Sequence, residues 1–120
     1  MNYDAMRANP GYYYLGTPYS KYPYGLEMAY VEACRAAGRL IEFGIRVFSP
    51  IAHTHPIARL SNIDPLDYSI WIPADRPMMD AAVGLVVCQM EGWQESHGIN
   101  EERKIFASMN KPIYFMEWPT

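Results

Sequence analysis

The sequence predicts an α/β domain built on a mostly parallel sheet of at least four strands. Three observations carry this expectation. Short aromatic or aliphatic runs alternate with segments of helical periodicity. Glycine or proline closes most of the runs. The first two runs are joined by one helix and a short return, which favours a right-handed crossover between parallel strands.

The elements follow in order. Residues 1–10 read as a flexible lead-in, and residues 11–120 as the single domain that a chain of 120 residues allows. Residues 12–16 (YYYLG) form a first strand, because aromatics suit a pleated surface. The turn signal Gly16-Thr17-Pro18 ends it, and small residues after a first strand are where α/β folds place ligands. Residues 23–43 repeat apolar positions at three- and four-residue spacing through Leu26, Ala29, Tyr30, Ala33, Ala37, Leu40 and Ile41, which predicts a helix stopped by Gly44. Residues 45–49 (IRVFS) form a second strand closed by Pro50. Residues 50–74 are irregular, with a short helix at 57–60, a turn at Asn62-Ile63-Asp64-Pro65 and a short apolar stretch from Tyr68 to Ile72 stopped by Pro73; a connection this long suits a pocket lid. A helix over 75–82 precedes GLVVCQM at 84–90, an apolar run fitting a central buried strand. A turn at Glu91-Gly92-Trp93, a helix over 96–110 and a strand over 113–116 complete the chain.

Composition narrows the function. Half the residues are hydrophobic, 19% are charged and the net charge is −3, so neither disorder nor a basic surface for a nucleic-acid polymer or membrane is expected. No run reaches the ~18 apolar residues of a membrane span, and MNYDAMRANPGYYY lacks the apolar core of a secretory signal. Cys34 and Cys88 sit among apolar residues without metal-ligand spacing and read as buried free thiols. These features point to a cytoplasmic protein. Tyrosines crowd the stretch from Tyr3 to Tyr24, as either an aromatic packing or oligomer surface or a base-stacking wall.

The last helix carries the sharpest clue. At 100° per residue Ile99, Phe106 and Met109 share one stripe, with Ile105 at its edge. Glu102 falls in the middle of that stripe, and Glu101 is one helical step aside. An inward carboxylate needs a partner, a pocket or a raised pKa; alternatively it reaches solvent or pairs with Arg103 or Lys104. Ser96 opens the helix as a cap, and its free amides with Gly98 suit an anion. His53 and His55 lack the further ligands a metal needs, so no metal or cofactor is expected; His55 lines a pocket or caps a helix. Trp93 lines a pocket or packs its turn. His97 contacts a phosphate or stays on the surface. Asp64, Asp67 and Asp80 read as caps. No phosphate-loop or dinucleotide glycine motif is present.

Several stretches together resemble one family. Tyr14-Leu15-Gly16-Thr17-Pro18-Tyr19 is similar to the first-strand signature of nucleoside 2-deoxyribosyltransferase-like proteins. Gly92-Trp93-Gln94-Glu95-Ser96-His97-Gly98, followed by Glu102, resembles the G-W-x-x-S-x-G-x-x-x-E signature of a small bacterial and phage branch. Val47-Phe48-Ser49-Pro50 with His55-Pro56 is similar to the second-strand region of a branch described as a domain of unknown function. The resemblance spans about residues 12–116. It implies a Rossmann-like (flavodoxin-like) three-layer sandwich with four to five strands, a homo-oligomer (dimer or tetramer), and chemistry at the N-glycosidic bond of a nucleoside or nucleoside 5′-monophosphate. It also implies roles. Glu102 is the nucleophile, Tyr14 its neighbour, and Asp75 handles the base. Ser96 and Gly98 meet the 5′ end. The residues themselves add Gly16, Thr17 and Pro18, from their place after the first strand, and His55 and Trp93, as pocket-lining candidates, to the substrate site. Gly84 stands where the family often has an aspartate, and Lys21 is the only base in the first loop. The competing expectation is a module of the same fold that binds or senses a nucleotide or nucleotide-sugar without turnover.

Overall fold

Every strand of the sheet runs in the same direction. The computed structural model describes residues 1–119. Its elements are α1 (Tyr3–Ala8), β1 (Tyr13–Gly16), α2 (Leu26–Glu42), β2 (Val47–Phe48), α3 (Pro50–Ser61), α4 (Tyr68–Ala81), β3 (Gly84–Gln89), α5 (His97–Ser108) and β4 (Ile113–Glu117). The strands lie in the order β2-β1-β3-β4. β1 pairs with β2 and β3, and β3 with β4, all parallel, with Tyr14 opposite Leu85 and Val86 opposite Tyr114. The Rossmann-like three-layer α/β expectation is met with four strands.

The two-residue period of the strands sorts their side chains onto two cores. Tyr13, Leu15, Val86, Cys88 and Met116 pack on one face with Ala36 and Leu40 of α2 and Met6 of α1. Cys34, expected to be buried like Cys88, is exposed, because it falls on the solvent side of α2. Tyr14, Leu85 and Val87 pack on the other with Met79 of α4 and Ile99 and Phe106 of α5. Parallel strands covered on both faces become continuous apolar runs, which is why GLVVCQM was legible as a central strand. Gly44 has a φ of +80° just past α2, the left-handed stop expected there.

Two regions depart from expectation. The lead-in contains α1, because Asn2 caps it by accepting from the Ala5 amide and Met6 drops its side chain into the core, 1% exposed. Residues 50–74 are mostly helical rather than irregular. Pro50 starts α3 instead of merely closing β2: at the first helical position its missing N–H costs nothing, and the Ser49 side chain caps the Ala52 amide. The Asp67 side chain likewise caps α4 at Ser69. Pro56, Pro73 and Pro77 lie inside these helices. Each deletes one backbone bond but does not end its helix, and tertiary packing overrides the local preference. Asp75 is therefore mid-helix rather than at a helix start.

Among the described residues no helix is long and apolar enough to cross a membrane.

Candidate active site

The parallel sheet sends its ligand-facing loops to one end. After β1 the chain turns toward β2, and after β3 it turns toward β4, on opposite faces of the sheet. The crevice between β1 and β3 is the switch point where open α/β sheets bind ligands. A cavity of about 130 Å³ opens there. Thr17, Tyr19 and Ser20 reach it from the β1 loop, Pro50, Ile51 and Thr54 from α3, and Tyr68, Trp71, Ile72, Asp75 and Met79 from α4. Ser96, His97, Gly98, Glu101, Glu102 and Ile105 line it from α5, and Tyr14 from β1 itself.

Glu102 is 9% exposed and forms no ion pair among the described residues. Lys104 bonds Glu101 instead, at 3.3 Å. The alternative of a solvent-reaching or cation-paired Glu102 is thereby set aside. Burial pushes its carboxyl well above the usual range, and the nearby Asp75 charge pushes further. Asp75 is itself raised to about 6 by burial. Two acids in one dry cavity do not both ionise readily, so they titrate as a pair.

The backbone makes room for this carboxyl. A Cβ at Gly16 would stand 2.7 Å from Glu102 Oε1. Gly16 thus leaves the space in which the Glu102 carboxyl sits, and the small residue at the end of β1 has a local reason. The Tyr14 hydroxyl is fully buried and has no partner in hydrogen-bond geometry. It still lies near enough to Glu102 that the pair shift each other: the hydroxyl lowers the carboxyl's pKa and the carboxylate raises the hydroxyl's, on top of a larger rise from burial. Thr17 Oγ1, 4% exposed, is likewise unpartnered. Unpaired buried polar atoms are costly, and here they gather on one cavity.

Ser96 caps α5 by accepting from the Ile99 amide at 3.2 Å. That leaves the amides of His97 and Gly98 without helical partners at the cavity wall. The His97 ring packs on Tyr68 at 4.8 Å.

Of the expected residues, the cavity brings together Tyr14, Thr17, Asp75, Ser96, Gly98 and Glu102, with Gly16 directly behind Glu102. Three stand back from it. Pro18 is buried but does not line the cavity. Trp93 packs its turn, its ring 5.8 Å from Phe115. His55 lies one layer behind, with Nδ1 2.6 Å from the Tyr19 hydroxyl and Nε2 2.7 Å from Glu27. His53 points elsewhere, onto the Phe48 ring at 5.6 Å. Among the described residues no three His, Cys, Asp or Glu side chains form a metal cluster.

The family described as Domain of unknown function (DUF1937) matches residues 11–118. The chain belongs to this family. No curated protein matches the chain. The matched span of the DUF1937 domain contains β1 through β4 and every cavity-lining residue.

Sequence reasoning missed Tyr19, Tyr68, Trp71 and Ile72 as lining groups of this DUF1937 cavity. Tyr19 sat inside a quoted motif but had no assigned role. The α4 residues were hidden because Pro73 read as a stop. Glu101, placed off the stripe, also reaches the cavity, at its half-exposed rim.

Proposed function

We propose that this domain cleaves or transfers at the N-glycosidic bond of a deoxynucleoside or its 5′-monophosphate, with Glu102 as nucleophile. The observation that carries the reading is the buried, cation-free Glu102 carboxyl set against Gly16, beside Tyr14 and within electrostatic reach of Asp75. A Glu102 oxygen bonds C1′ as the C1′–N bond breaks, and the proton held by the carboxyl pair passes through Asp75 to the leaving base. Water or a second base then displaces the Glu102 ester. The positive charge developing on the sugar offsets the desolvation that disfavours the carboxylate in the empty cavity. Tyr14 is the hydroxyl near enough to steady the Glu102 carboxylate once it ionises, and the amides at 97–98 with Ser96 suit the 5′ end. The same reading includes a cytoplasmic homo-oligomer, for which exposed Ile57 and Leu60 on α3 and Ile70 on α4 offer apolar surface.

A second reading keeps the ligand and drops the turnover. A Glu102 held uncharged by burial is a hydrogen-bond donor suited to binding a nucleotide or nucleotide-sugar. Incubation with a panel of deoxynucleosides and monophosphates, followed by chromatography for free base, separates the two. Base release, with a sugar-mass adduct on the peptide carrying Glu102, supports the enzyme. Binding without release supports the sensor, and the absence of both binding and release sinks both readings. Ser96→Ala is expected to weaken monophosphate binding more than nucleoside binding, and equal weakening would remove the phosphate assignment.

A further inference from the structure

Behind one wall of the cavity lies a chain of three side chains that the glycosidic chemistry does not use. Glu27, on the exposed side of α2, takes Arg59 Nη1 on one oxygen at 2.8 Å and faces His55 Nε2 with the other at 2.7 Å. Its carboxyl is pulled below the usual range, chiefly by the His55 hydrogen bond and further by Arg59. An ionised carboxylate only accepts, so the proton on the Glu27–His55 contact belongs to Nε2. The His55 ring is fixed in that pose, stacked on Tyr30 at 4.7 Å and edge-on to Tyr19 at 5.7 Å. In the neutral ring Nδ1 is then a lone pair. The Tyr19 hydroxyl, 2.6 Å away, has to donate to it.

We propose that Glu27 and His55 consume the Tyr19 proton, so that Tyr19 shows the cavity an acceptor and selects ligands bearing an N–H or O–H there. His55 is on this view a positioning residue rather than a contact. Resting on the nucleoside reading above, the donor is an exocyclic amino group of the base or a sugar hydroxyl. A phosphate oxygen, itself an acceptor, is turned away from this wall.

Two measurements test it. Nitrogen NMR of His55 in the unliganded protein, at a pH where the ring is neutral, is expected to show Nε2 protonated and Nδ1 bare. A protonated Nδ1 in the neutral ring overturns the proposal whatever the ligand. Titration of wild type and Tyr19→Phe with 2′-deoxyadenosine, purine 2′-deoxyriboside (no amino group) and 2′,3′-dideoxyadenosine (no 3′-hydroxyl) then completes the case. One deletion is expected to weaken wild type about tenfold and the variant less than about twofold. Equal losses in both proteins overturn the recognition role even with the right tautomer. No binding of any of the three sinks the nucleoside reading instead, and the tautomer still decides whether Tyr19 is an acceptor.

Discussion

Glu102 and Glu27 both belong to the surroundings of one cavity, yet their environments push them in opposite directions. Glu102 is buried, has no cation and is driven toward its neutral form. Glu27 is exposed, sits between Arg59 and His55 and is held charged. A carboxylate whose bonds are all made orients its neighbours and has nothing left to offer a ligand. A carboxylate left unpaired in a dry site is costly to the fold, and its unmet demand is available for chemistry. The same contrast separates the two tyrosines: Tyr19 is bonded to His55, whereas Tyr14 is buried without a partner.

The largest expected effect breaks the Glu102 side of this comparison. Glu102→Gln is expected to lose base release by at least ~10³-fold in a turnover assay. Near neutral pH it is expected to melt on the order of several °C higher, because the amide needs no proton to be buried. Loss of activity with a lower melting temperature would mean that Glu102 supports the fold instead. Retained turnover would leave the sensor reading as the better one.

Asp75→Asn carries the second effect, read against pH. Burial pushes the folded-state carboxyl up to about 6 from an ordinary value of 3.8. The folded state therefore binds this proton more tightly. Its stabilising contribution is present below the ordinary value and is lost as pH rises through about 6. The variant is expected to melt a few °C above wild type at neutral pH, with the gap closing in acid near pH 4. Parallel melting curves for the two proteins across that range would show that Asp75 is not desolvated. Turnover in the variant is expected to fall about a hundredfold, by loss of the acid.

How much of this was legible depended on where each signal lay. The inward phase of Glu102 followed from periodicity, because backbone geometry fixes which side chains face the sheet, and the burial of the strand within 84–90 followed from its unbroken apolar run. The cap at Ser96 was likewise local. The pocket-side role of residues 50–74 was legible but their helices were not, since Pro50 and Pro73 punctuate the sequence as breakers while α3 starts at the first and α4 runs through the second. Nor does any spacing announce that residue 55 of α3 meets residue 27 of α2. Gly84, where the resemblance favoured an aspartate, has a local cause. A Cβ there would come 2.9 Å from the Pro112 carbonyl and 3.0 Å from the Tyr13 ring, so a side chain at that position does not fit between β1 and β4.

Gly16→Ala sharpens the comparison from the backbone side. The new methyl would meet Glu102 Oε1, the mobile end of a side chain, so the carboxyl swings while the fold gives little. Turnover is expected to fall about tenfold to a hundredfold, a usual consequence of ångström-scale misplacement. Stability is expected to change by less than ~1 kcal/mol. A large loss of stability with intact turnover in the remaining folded protein would show that Gly16 serves β1 and not the carboxyl.

The smallest expected effect is the most informative about phase. Glu101 is next to Glu102, lines the rim of the same cavity and carries the same functional group. It differs in one respect: solvent and Lys104 satisfy it, at 3.3 Å. If an unmet carboxylate is what the site uses, satisfaction should make Glu101 dispensable despite its position. An exposed pair of this kind contributes little to stability, so Glu101→Gln is expected to shift the melting temperature by about 1 °C or less. Turnover is expected to change less than about threefold, since the rim charge acts on a ligand only through solvent. A dead Glu101→Gln beside an active Glu102→Gln would move the chemistry one residue along α5, from the dry stripe to the wet rim. The nucleophile would then be the solvated carboxylate, and the unpaired state of Glu102 would need another cause.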